Sequence, residues 1–237
     1  GGLIVTNYYS SSPVSSPSRV GLTTGRFPTE MGINCYLQTR KGNTACEQFD
    51  YLDASVPTMA KVMKSAGYTT GHFGKWHMGG GRDVIDAPQI TEYGFDEYIS
   101  TWESPNPDPV ITDSAWIWSR TDQVKRWDRT AYFVDKTLDF LKRHKGEPCF
   151  VNLWPDDMHT PWVPSQKTMD SERTSWTTPP NFKEVLTEYD KQIGRLMEGL
   201  TKLGLEKNTI VIFTSDNGPA PSFQQMRTNS LLGVKCS

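Results

Sequence analysis

The hydrophobic pattern of the chain has one recurring feature, a short apolar run that ends at a cluster of polar residues. Four such runs occur, LIVTNYY at 3–9, YTTGHF at 68–73, PCFVNLW at 148–154 and TIVIFT at 209–214. Apolar runs of about four to eight residues that are bounded by turn signals are typical of buried strands. We therefore predict a strand at each of these four positions.

Amphipathic helices are predicted before three of these runs. Apolar residues recur with a period of about 3.6 residues in the segment SVPTMAKVMKSAG, in the segment that starts at Asp128, and over 181–203. In the first segment we expect Pro57 at the first helical position and Gly67 at the C-terminal cap. Helices that alternate with short buried strands predict an α/β fold, with a mostly parallel sheet flanked by helices on both faces.

The polar clusters are expected to meet at one edge of this sheet. The carboxyl ends of parallel strands share an edge, and α/β proteins bind their ligands beyond it. The clusters are SSPSR at 15–19, GKWHMGGG at 74–81, PDDMHTPW at 155–162 and SDNGP at 215–219. We expect Asp156 and Asp157 of the third cluster to form a solvated turn.

Between 98 and 127 the periodic pattern disappears, and we interpret this segment as an irregular insertion rich in Trp and Pro that lies near the site. The tryptophans of irregular segments have two readings, since an indole ring either stacks on a sugar face or fills a gap beneath a long loop. They are Trp102, Trp116, Trp118, Trp127, Trp162 and Trp176.

Charge and composition exclude two classes of partner. The chain has 237 residues, enough for one domain, with 25 Lys and Arg against 27 Asp and Glu and a net charge of −2. This balance provides no basic surface for nucleic acid, and the apolar runs are too short to span a membrane. We expect neither a nucleic-acid partner nor a membrane span.

The cysteines and the chain ends give weaker signals. The four cysteines include no CxxC pair, so a zinc site is not expected, and Cys35 and Cys46 either close a small disulfide loop or, as we favour, remain free thiols. The chain begins with GGLIV and stops just after a Gly-containing turn. We interpret it as an internal piece of a longer protein.

The residue types in the clusters point to chemistry on an anionic ester. Together they offer one hydroxyl, several cations, two histidines and an Asp-Asn pair: Ser15, Arg19, Lys75, His77, His159, Asp216, Asn217 and Lys235. Cations and histidines around a nucleophile suit a reaction in which a tetrahedral oxyanion group is cleaved from the oxygen of an ester. The oxygens of Asp216 and Asn217 suit a hard cation, calcium or magnesium, better than zinc.

These motifs resemble those of the type I, formylglycine-dependent sulfatases of the alkaline-phosphatase-like superfamily. SSPSRVGLTTGR at 15–26 is similar to the signature in which Cys or Ser, any residue, Pro, Ser and Arg precede Thr-Gly-Arg. GKWHMG, MHTP and TSDNG resemble the other site motifs of that family, in the same order. Four ordered motifs are far more specific than one.

The resemblance implies a mechanism for sulfate ester hydrolysis. The first signature residue, here Ser15, is oxidised by a maturation enzyme to formylglycine, and the aldehyde hydrates to a geminal diol. One hydroxyl of the diol attacks sulfur, and the other then expels sulfate and restores the aldehyde. The products are inorganic sulfate and an alcohol.

The resemblance also implies a role for each site residue. Arg19 would hold the formylglycine, Lys75 and Lys235 would bind the sulfate oxygens, His77 would take the proton of the diol, and His159 would protonate the leaving alcohol. Asp216, Asn217 and residue 15 would bind the cation, calcium in most members of the family. Pro17 and Ser18 would shape a turn, and the helix after Arg19 would point its positive end at the anion.

The chain departs from the family pattern in two respects. The aspartate pair that follows the family's first strand has no counterpart, and neither that strand nor the small C-terminal domain is recognised, so we interpret 1–237 as a partial sulfatase catalytic domain that is itself inactive. Ser15 is either a natural serine, which we favour, or a replaced cysteine. The resemblance to this family also implies a periplasmic or secreted protein.

Two other functions compete with a carbohydrate sulfatase. A phosphate or phosphonate ester hydrolase of the same superfamily would share the sheet and the nucleophile, but a phosphate monoester carries more charge and calls for more cations. The sequence offers no further Asp and His cluster for a second metal. A non-catalytic binder of sulfated glycans is the third reading, although such a protein needs no acid for a leaving group. His72 and His144 are expected to be structural or on the surface.

Overall fold

The computed structural model describes residues 2–111, 119–220 and 235. Its centre is a parallel sheet of three strands, β1 (Thr69–Gly74), β2 (Glu97–Ser100) and β3 (Cys149–Trp154), in the order β2-β1-β3. The sheet is flanked by helices, which confirms the predicted α/β class. Gly74 lies opposite Trp154 in the register, so β1 and β3 end side by side.

The described residues also form α-helices of very different lengths. Three precede β1, one lies between β2 and β3, and two follow β3. They are α1 (Ser15–Thr24), α2 (Arg40–Ala45), α3 (Met59–Ser65), α4 (Arg129–Arg143), α5 (Gln166–Asp170) and α6 (Pro179–Lys202). The helices predicted from Asp128 and over 181–203 correspond to α4 and α6, which pack against each other.

The strand predictions are half confirmed. The runs at 68–73 and 148–154 become β1 and β3, whereas the predictions at 3–9 and 209–214 are wrong because neither described segment is a strand. Ile4 is 86% exposed and Ile212 is 83% exposed. An apolar run becomes a strand only when a neighbouring backbone pairs with it, and the described residues offer these two runs none.

The predicted insertion at 98–127 contains more regular structure than its sequence suggests. It begins inside β2 and ends in a short 3₁₀ helix at Arg126–Asp128. The start of β2 is fixed by Asp96, whose carboxylate accepts a hydrogen bond from the backbone of Thr70 at 2.9 Å. A strand of this length shows no periodicity, and it forms here because β1 pairs with it. Trp116 and Trp118 lie outside the described residues.

Two helix starts differ from the prediction. The helix α1 begins at Ser15, so the SSPSR motif forms its first turn instead of a loop before it. The helix α3 begins at Met59, after Thr58, whose hydroxyl accepts a hydrogen bond from the Lys61 amide. Pro57 therefore precedes the cap and is not the first helical residue, because the hydroxyl of Thr58 is the better N-cap. Gly67, at φ +87°, follows the end of this helix in the left-handed conformation, as expected.

The strand β1 separates two hydrophobic clusters, because side chains alternate across a strand. Phe73 packs with Phe133 and Phe140 of α4 in one cluster. The preceding residue, His72, is fully buried on the opposite side, with its ring in edge contact with Trp76 at 5.3 Å and Trp154 at 5.2 Å. The expected structural character of His72 is consistent with this packing.

Two expectations remain, the position of His144 and the state of the cysteines. His144 follows α4 and lies 3.0 Å from a carboxylate oxygen of Glu147, in keeping with the surface role expected for it. Cys46 and Cys149 have free thiols, so the Cys35–Cys46 disulfide that the sequence left open does not form.

A glycine is required where β1 meets β3. Gly74 has φ +128°, and a Cβ atom there would lie 2.1 Å from the carbonyl oxygen of Trp154. That same oxygen accepts the hydrogen bond of the Lys75 amide at 2.8 Å. The G74A variant should lose more than about 3 kcal/mol of unfolding free energy in urea titrations, since strain and a backbone clash add together.

The matched control for G74A is Gly146→Ala. Gly146 also has a positive φ, +97°, but a Cβ atom there would meet nothing within 4 Å. G146A should therefore cost only about 1–2 kcal/mol, the conformational term alone. Equal losses for the two variants would contradict the assigned role of the contact with Trp154.

Burial of His72 should make the fold sensitive to acid. Burial, with the nearby charge of Arg19, lowers the pKa of His72 to about 3. Below about pH 6.5 the unfolded chain binds a proton that the folded chain does not bind, so stability is lost as the pH falls towards 3. Between pH 7.5 and 4.5, H72F should lose less unfolding free energy than the unsubstituted chain, by on the order of 2 kcal/mol. Parallel losses in denaturant titrations at the two pH values would rule out this role.

Candidate active site

The first turn of α1 holds Ser15 at the carboxyl edge of the sheet. The hydroxyl of Ser15 donates to Oδ1 of Asn217 at 3.2 Å. The other serines of the motif have structural partners, since Ser16 accepts from the Leu37 amide at 2.9 Å and Ser18 donates to the Ser12 carbonyl at 2.6 Å. Ser15 is therefore the serine of this turn that is directed at the 215–219 cluster.

Arg19 joins three of the polar clusters. Its Nε and Nη2 atoms contact Oδ2 of Asp216 at 3.0 and 2.9 Å, and Nη1 donates to the Lys75 carbonyl at 2.8 Å. The guanidinium also lies over the Trp154 ring, 5.0 Å from its centroid. Burial alone would raise the pKa of Asp216, but the charges of Arg19 and Lys75 outweigh burial and lower this pKa to about 2.

Lys75 and His77 follow the end of β1 and share a partner that the sequence did not reveal. Glu103 lies 3.8 Å from Nζ of Lys75, 3.2 Å from Nε2 of His77 and 3.0 Å from a guanidinium nitrogen of Arg82. It follows β2, so prediction of that strand would have placed Glu103 at the same edge. His77 itself has φ +54°, an uncommon conformation for a residue with a side chain.

The electrostatics of this group reflect its burial. Burial lowers the pKa of Lys75, with Glu103 acting against it, and lowers the pKa of His77 to about 3. For Glu103, burial acts in the opposite direction, but His77, Lys75 and Arg82 hold its pKa at about 2. At neutral pH the imidazole of His77 is therefore neutral, and it lies against the carboxylate of Glu103, which Lys75 also contacts.

His159 and Lys235 meet at the same edge. Nζ of Lys235 lies 3.3 Å from Nε2 of His159, and Nδ1 of His159 lies 2.7 Å from the Thr160 carbonyl oxygen. A carbonyl oxygen can only accept, so Nδ1 carries the proton and Nε2 faces the ammonium group with its lone pair. Burial, together with Lys75 and Lys235, lowers the pKa of His159 to about 4.

Asp156 and Asp157 are both buried, so the prediction of a solvated turn is wrong. Oδ2 of Asp156 accepts from Arg126 at 2.7 Å and from Arg129 at 2.8 Å. Arg126 also donates to the His159 carbonyl at 3.0 Å. Charged residues are buried when they are paired, and this pairing fixes the backbone that carries His159.

The structure thus brings together all the residues that the motifs singled out, with one difference in contacts. Arg19 was expected to hold residue 15, whereas its described hydrogen bonds are to Asp216 and Lys75. The roles of these residues stay predictions. Glu103, Arg126 and Asp156 are additions that only the tertiary structure reveals.

Residues Ser15, Asp216 and Asn217 supply oxygen atoms of the type that a hard cation binds. Ser15 and Asn217 are in hydrogen-bond contact, and Asp216 is adjacent, so the donor chemistry fits calcium or magnesium. The donor number is small, since the described residues contain no group of three or more His, Cys, Asp or Glu placed to hold a metal. The fit is therefore that of a partial shell.

Two of the described tryptophans fit the packing reading. Trp162 and Trp176 are buried, and Trp176 packs with Val163 and Met169 in a small cluster that Trp127 partly covers. These rings fill space beneath the loops after β3. Trp102 is half-buried, with the Arg82 guanidinium 5.6 Å from its ring centroid.

Comparison with known proteins identifies the family. The sulfatase family model matches residues 1–230, and the chain belongs to this family. Human N-acetylgalactosamine-6-sulfatase is 29% identical over 241 residues, which cover 92% of this chain and 44% of that protein. The N-acetylgalactosamine-6-O-sulfatase of Bacteroides thetaiotaomicron is 26% identical over 300 residues, which cover 98% of this chain and 56% of that protein.

A solved structure supports the fold. The crystal structure of Ps i-CgsB in complex with k-i-k-neocarrahexaose superposes with a TM-score of 0.69 at 22% identity, covering 96% of this chain and 53% of that one. The chain spans about half the length of the curated relatives it matches. Within the described residues, no helix is long and apolar enough to cross a membrane.

The ion pairs of Asp156 should be essential for stability. In D156N the buried guanidinium of Arg126 loses its carboxylate partner and that of Arg129 keeps only Asp122, at 3.2 Å, so we expect a loss of about 3–5 kcal/mol of unfolding free energy. The control is D139N, because Asp139 pairs with Arg143 on the exposed side of α4 at 2.9 Å. That variant should lose less than about 1 kcal/mol in the same urea titrations. Similar losses for both would refute the importance of the buried pair.

Proposed function

We propose that this chain is the catalytic core of a sulfatase that hydrolyses a sulfate ester of a carbohydrate to inorganic sulfate and an alcohol. The observation that carries the proposal is the arrangement of cations and histidines around Ser15 at one edge of the sheet. Membership of the sulfatase family supports it. The carbohydrate is inferred from relatives named for sulfated N-acetylgalactosamine, together with a fold neighbour solved with a neocarrahexaose.

The nucleophile is formylglycine made from Ser15. A plain serine hydroxyl would form a stable sulfate ester, whereas a hydrated aldehyde has a second hydroxyl that can release the sulfate group. A maturation enzyme would remove two hydrogens from the Ser15 side chain. The position at the first turn of α1 suits this role, because the amide groups of a helix start favour negative charge.

The sulfate group would be bound by Lys75 and Lys235. Lys75 lies beside Arg19 and Glu103, and Lys235 lies beside His159. Repulsion among these groups is part of the cause of the low pKa of His159. An anion bound between them would relieve this repulsion and raise the pKa of each of these cationic groups, because a nearby negative charge favours the protonated form.

Proton transfer is assigned to the two histidines. A bound sulfate would raise the pKa of His159 towards neutrality, so that Nε2 could carry a proton and deliver it to the leaving oxygen. Neutral His77 would accept the proton of the diol. Glu103, at 3.2 Å from His77, would stabilise the resulting imidazolium and is proposed as its positioning residue.

The cation would be calcium, or alternatively magnesium, held by the oxygens of Asp216, Asn217 and residue 15. When bound, it would supply Lewis-acid stabilisation of negative charge at the sulfate oxygens. Arg19 would keep the Asp216 carboxylate ionised and oriented for that purpose, as its two contacts with Oδ2 support. A periplasmic or secreted location would suit a glycan substrate and is part of the proposal.

The first test is the mass of the peptide that contains Ser15. Because the chain spans about half the length of its relatives, the full-length gene product should be used, co-expressed with a maturation enzyme that acts on serine. We expect the tryptic peptide with Ser15 to lose about two mass units, the two hydrogens removed on conversion to an aldehyde. The S15A variant, treated identically, should keep its calculated mass.

Activity then separates the proposal from its alternatives. The matured protein should turn over an aryl sulfate and sulfated N-acetylgalactosamine, while H159N should lower kcat by about 100-fold or more because it removes the acid. Preferential turnover of the matched aryl phosphate would replace the sulfatase with a phosphate ester hydrolase. Glycan binding by matured protein without turnover would leave a non-catalytic binder.

A further inference from the structure

The loop that carries His159 begins with a four-residue turn, 156–159, shortly after the end of β3. The His159 amide donates to the Asp156 carbonyl at 3.0 Å, which closes the turn. The imidazole is oriented by its own contact, since Nδ1 lies 2.7 Å from the Thr160 carbonyl oxygen. The position of Nε2, the atom that faces Lys235, therefore depends on how firmly the backbone of the turn is held.

The end of the insertion and the start of α4 hold the side chains of this turn. Arg126 and Arg129 both donate to Oδ2 of Asp156, at 2.7 and 2.8 Å. Thr130 donates to Oδ2 of Asp157 through its amide at 3.1 Å and its hydroxyl at 2.6 Å. Charged and neutral donors from one short segment thus fix the two aspartates that precede His159 by three and two positions.

Arg126 differs from these neighbours because it also reaches the backbone of the turn. Its Nη2 atom donates to the Asp156 carbonyl at 2.7 Å and to the His159 carbonyl at 3.0 Å, which belong to the first and last residues of the turn. Its Nη1 atom meanwhile binds the Asp156 carboxylate. The side chain is 2% exposed, so solvent cannot replace these bonds, and the ammonium group of a lysine lacks the fork that makes all three together.

Arg129 provides a natural comparison. Its side chain is fully buried, and it shares Oδ2 of Asp156 with Arg126. Within 2–111 and 119–220, its other hydrogen bonds go to the Asp122 carboxylate and the Ile111 carbonyl, not to the backbone of the turn. Both arginines therefore support the fold, whereas the contacts that bear directly on the backbone of His159 come from Arg126.

We propose that Arg126 is a positioning residue for His159 in the cleavage of the sulfate ester. The inference rests on the sulfatase function proposed above. When the bond between sulfur and the alcohol oxygen breaks, that oxygen keeps the electron pair and takes the proton from Nε2 of His159. A turn released from Arg126 moves Nε2 away from the leaving oxygen, and small displacements of this kind are costly in rate. The insertion at 98–127 thereby gains a role, because Arg126 lies at its end.

The test compares two aryl sulfates that differ mainly in the acidity of the phenol they release. 4-Nitrophenol leaves readily without a proton, whereas 4-methoxyphenol depends on the acid. The measured quantity is kcat/KM of the full-length, matured protein, because it covers the steps up to departure of the alcohol. We expect R126K to lower kcat/KM for 4-methoxyphenyl sulfate about tenfold more than for 4-nitrophenyl sulfate.

The matched control is R129K. Both variants should destabilise the fold in thermal melts, because each removes a guanidinium from the buried Asp156 carboxylate. A lower content of folded or matured protein reduces kcat/KM for both esters by the same factor, so R129K should leave their ratio unchanged. In the H159N background R126K should not change the ratio further, since the acid on which it acts is absent.

The outcomes separate this inference from the function on which it rests. An unchanged ratio in R126K, or the same change in R129K, would overturn the role of Arg126 while leaving the sulfatase in place. No turnover of either ester by the unsubstituted, matured protein would contradict the sulfatase proposal and this inference with it. If thermal melts show that R126K is unfolded, R126Q, whose amide keeps one donor group for the turn, replaces it, with R129Q as the control.

Discussion

The contact between Arg19 and Asp216 is the interaction on which the arrangement of the candidate site depends. Arg19 comes from the second turn of α1, Asp216 from the segment after the 209–214 run, and the Lys75 carbonyl that shares the guanidinium follows β1. Elements far apart in sequence are thus joined at one side chain, which is buried and needs partners for all its charge. Loss of this contact would release Ser15 from Asn217, because Asn217 is adjacent to Asp216. A lysine could not replace Arg19, since the planar guanidinium donates to the Asp216 carboxylate and to the Lys75 carbonyl at the same time.

The same edge holds several positively charged groups close together in a largely buried site. Lys75 is buried beside Arg19, and the charges of Lys75 and Lys235 both act on His159. The carboxylates of Glu103 and Asp216 compensate part of this charge, which explains why both have pKa values of about 2. Natural proteins accept such electrostatic strain mainly at functional sites, where a ligand of opposite charge relieves it. A sulfate group, with one negative charge and several acceptor oxygens, has the required charge without calling for further cations.

The sequence was informative wherever a local pattern determined the outcome. The strands β1 and β3 could be recognised as short apolar runs bounded by turn signals. The helices α4 and α6 could be recognised because their apolar residues recur with a period of about 3.6 residues. The polar motifs at 74–81 and 155–162 reached a common edge because they follow the paired parallel strands β1 and β3. The motifs at 15–19 and 215–219 do not follow strands in this structure, and Arg19 joins them to that edge through the Lys75 carbonyl and Asp216. The prediction of a strand at 209–214 was wrong because a strand needs a neighbouring backbone to pair with. Ile212 is exposed, which shows that an apolar sequence alone does not provide such a partner. Glu103 and Asp156 could not be assigned from sequence, since their partners lie on other elements and their own neighbours in the chain resemble those of an ordinary loop.

Asp156 and Asp157 show why such assignments require the tertiary structure. The two residues are adjacent, identical in type and equally buried, yet their environments differ completely. Asp156 accepts charged hydrogen bonds from two guanidinium groups, which lower its pKa despite burial. Asp157 receives only the neutral amide and hydroxyl of Thr130 at the start of α4, so burial dominates and raises its pKa. Successive side chains leave the backbone in different directions, and here one is directed at the arginines that support the His159 loop, while the other is held by Thr130 at the start of α4.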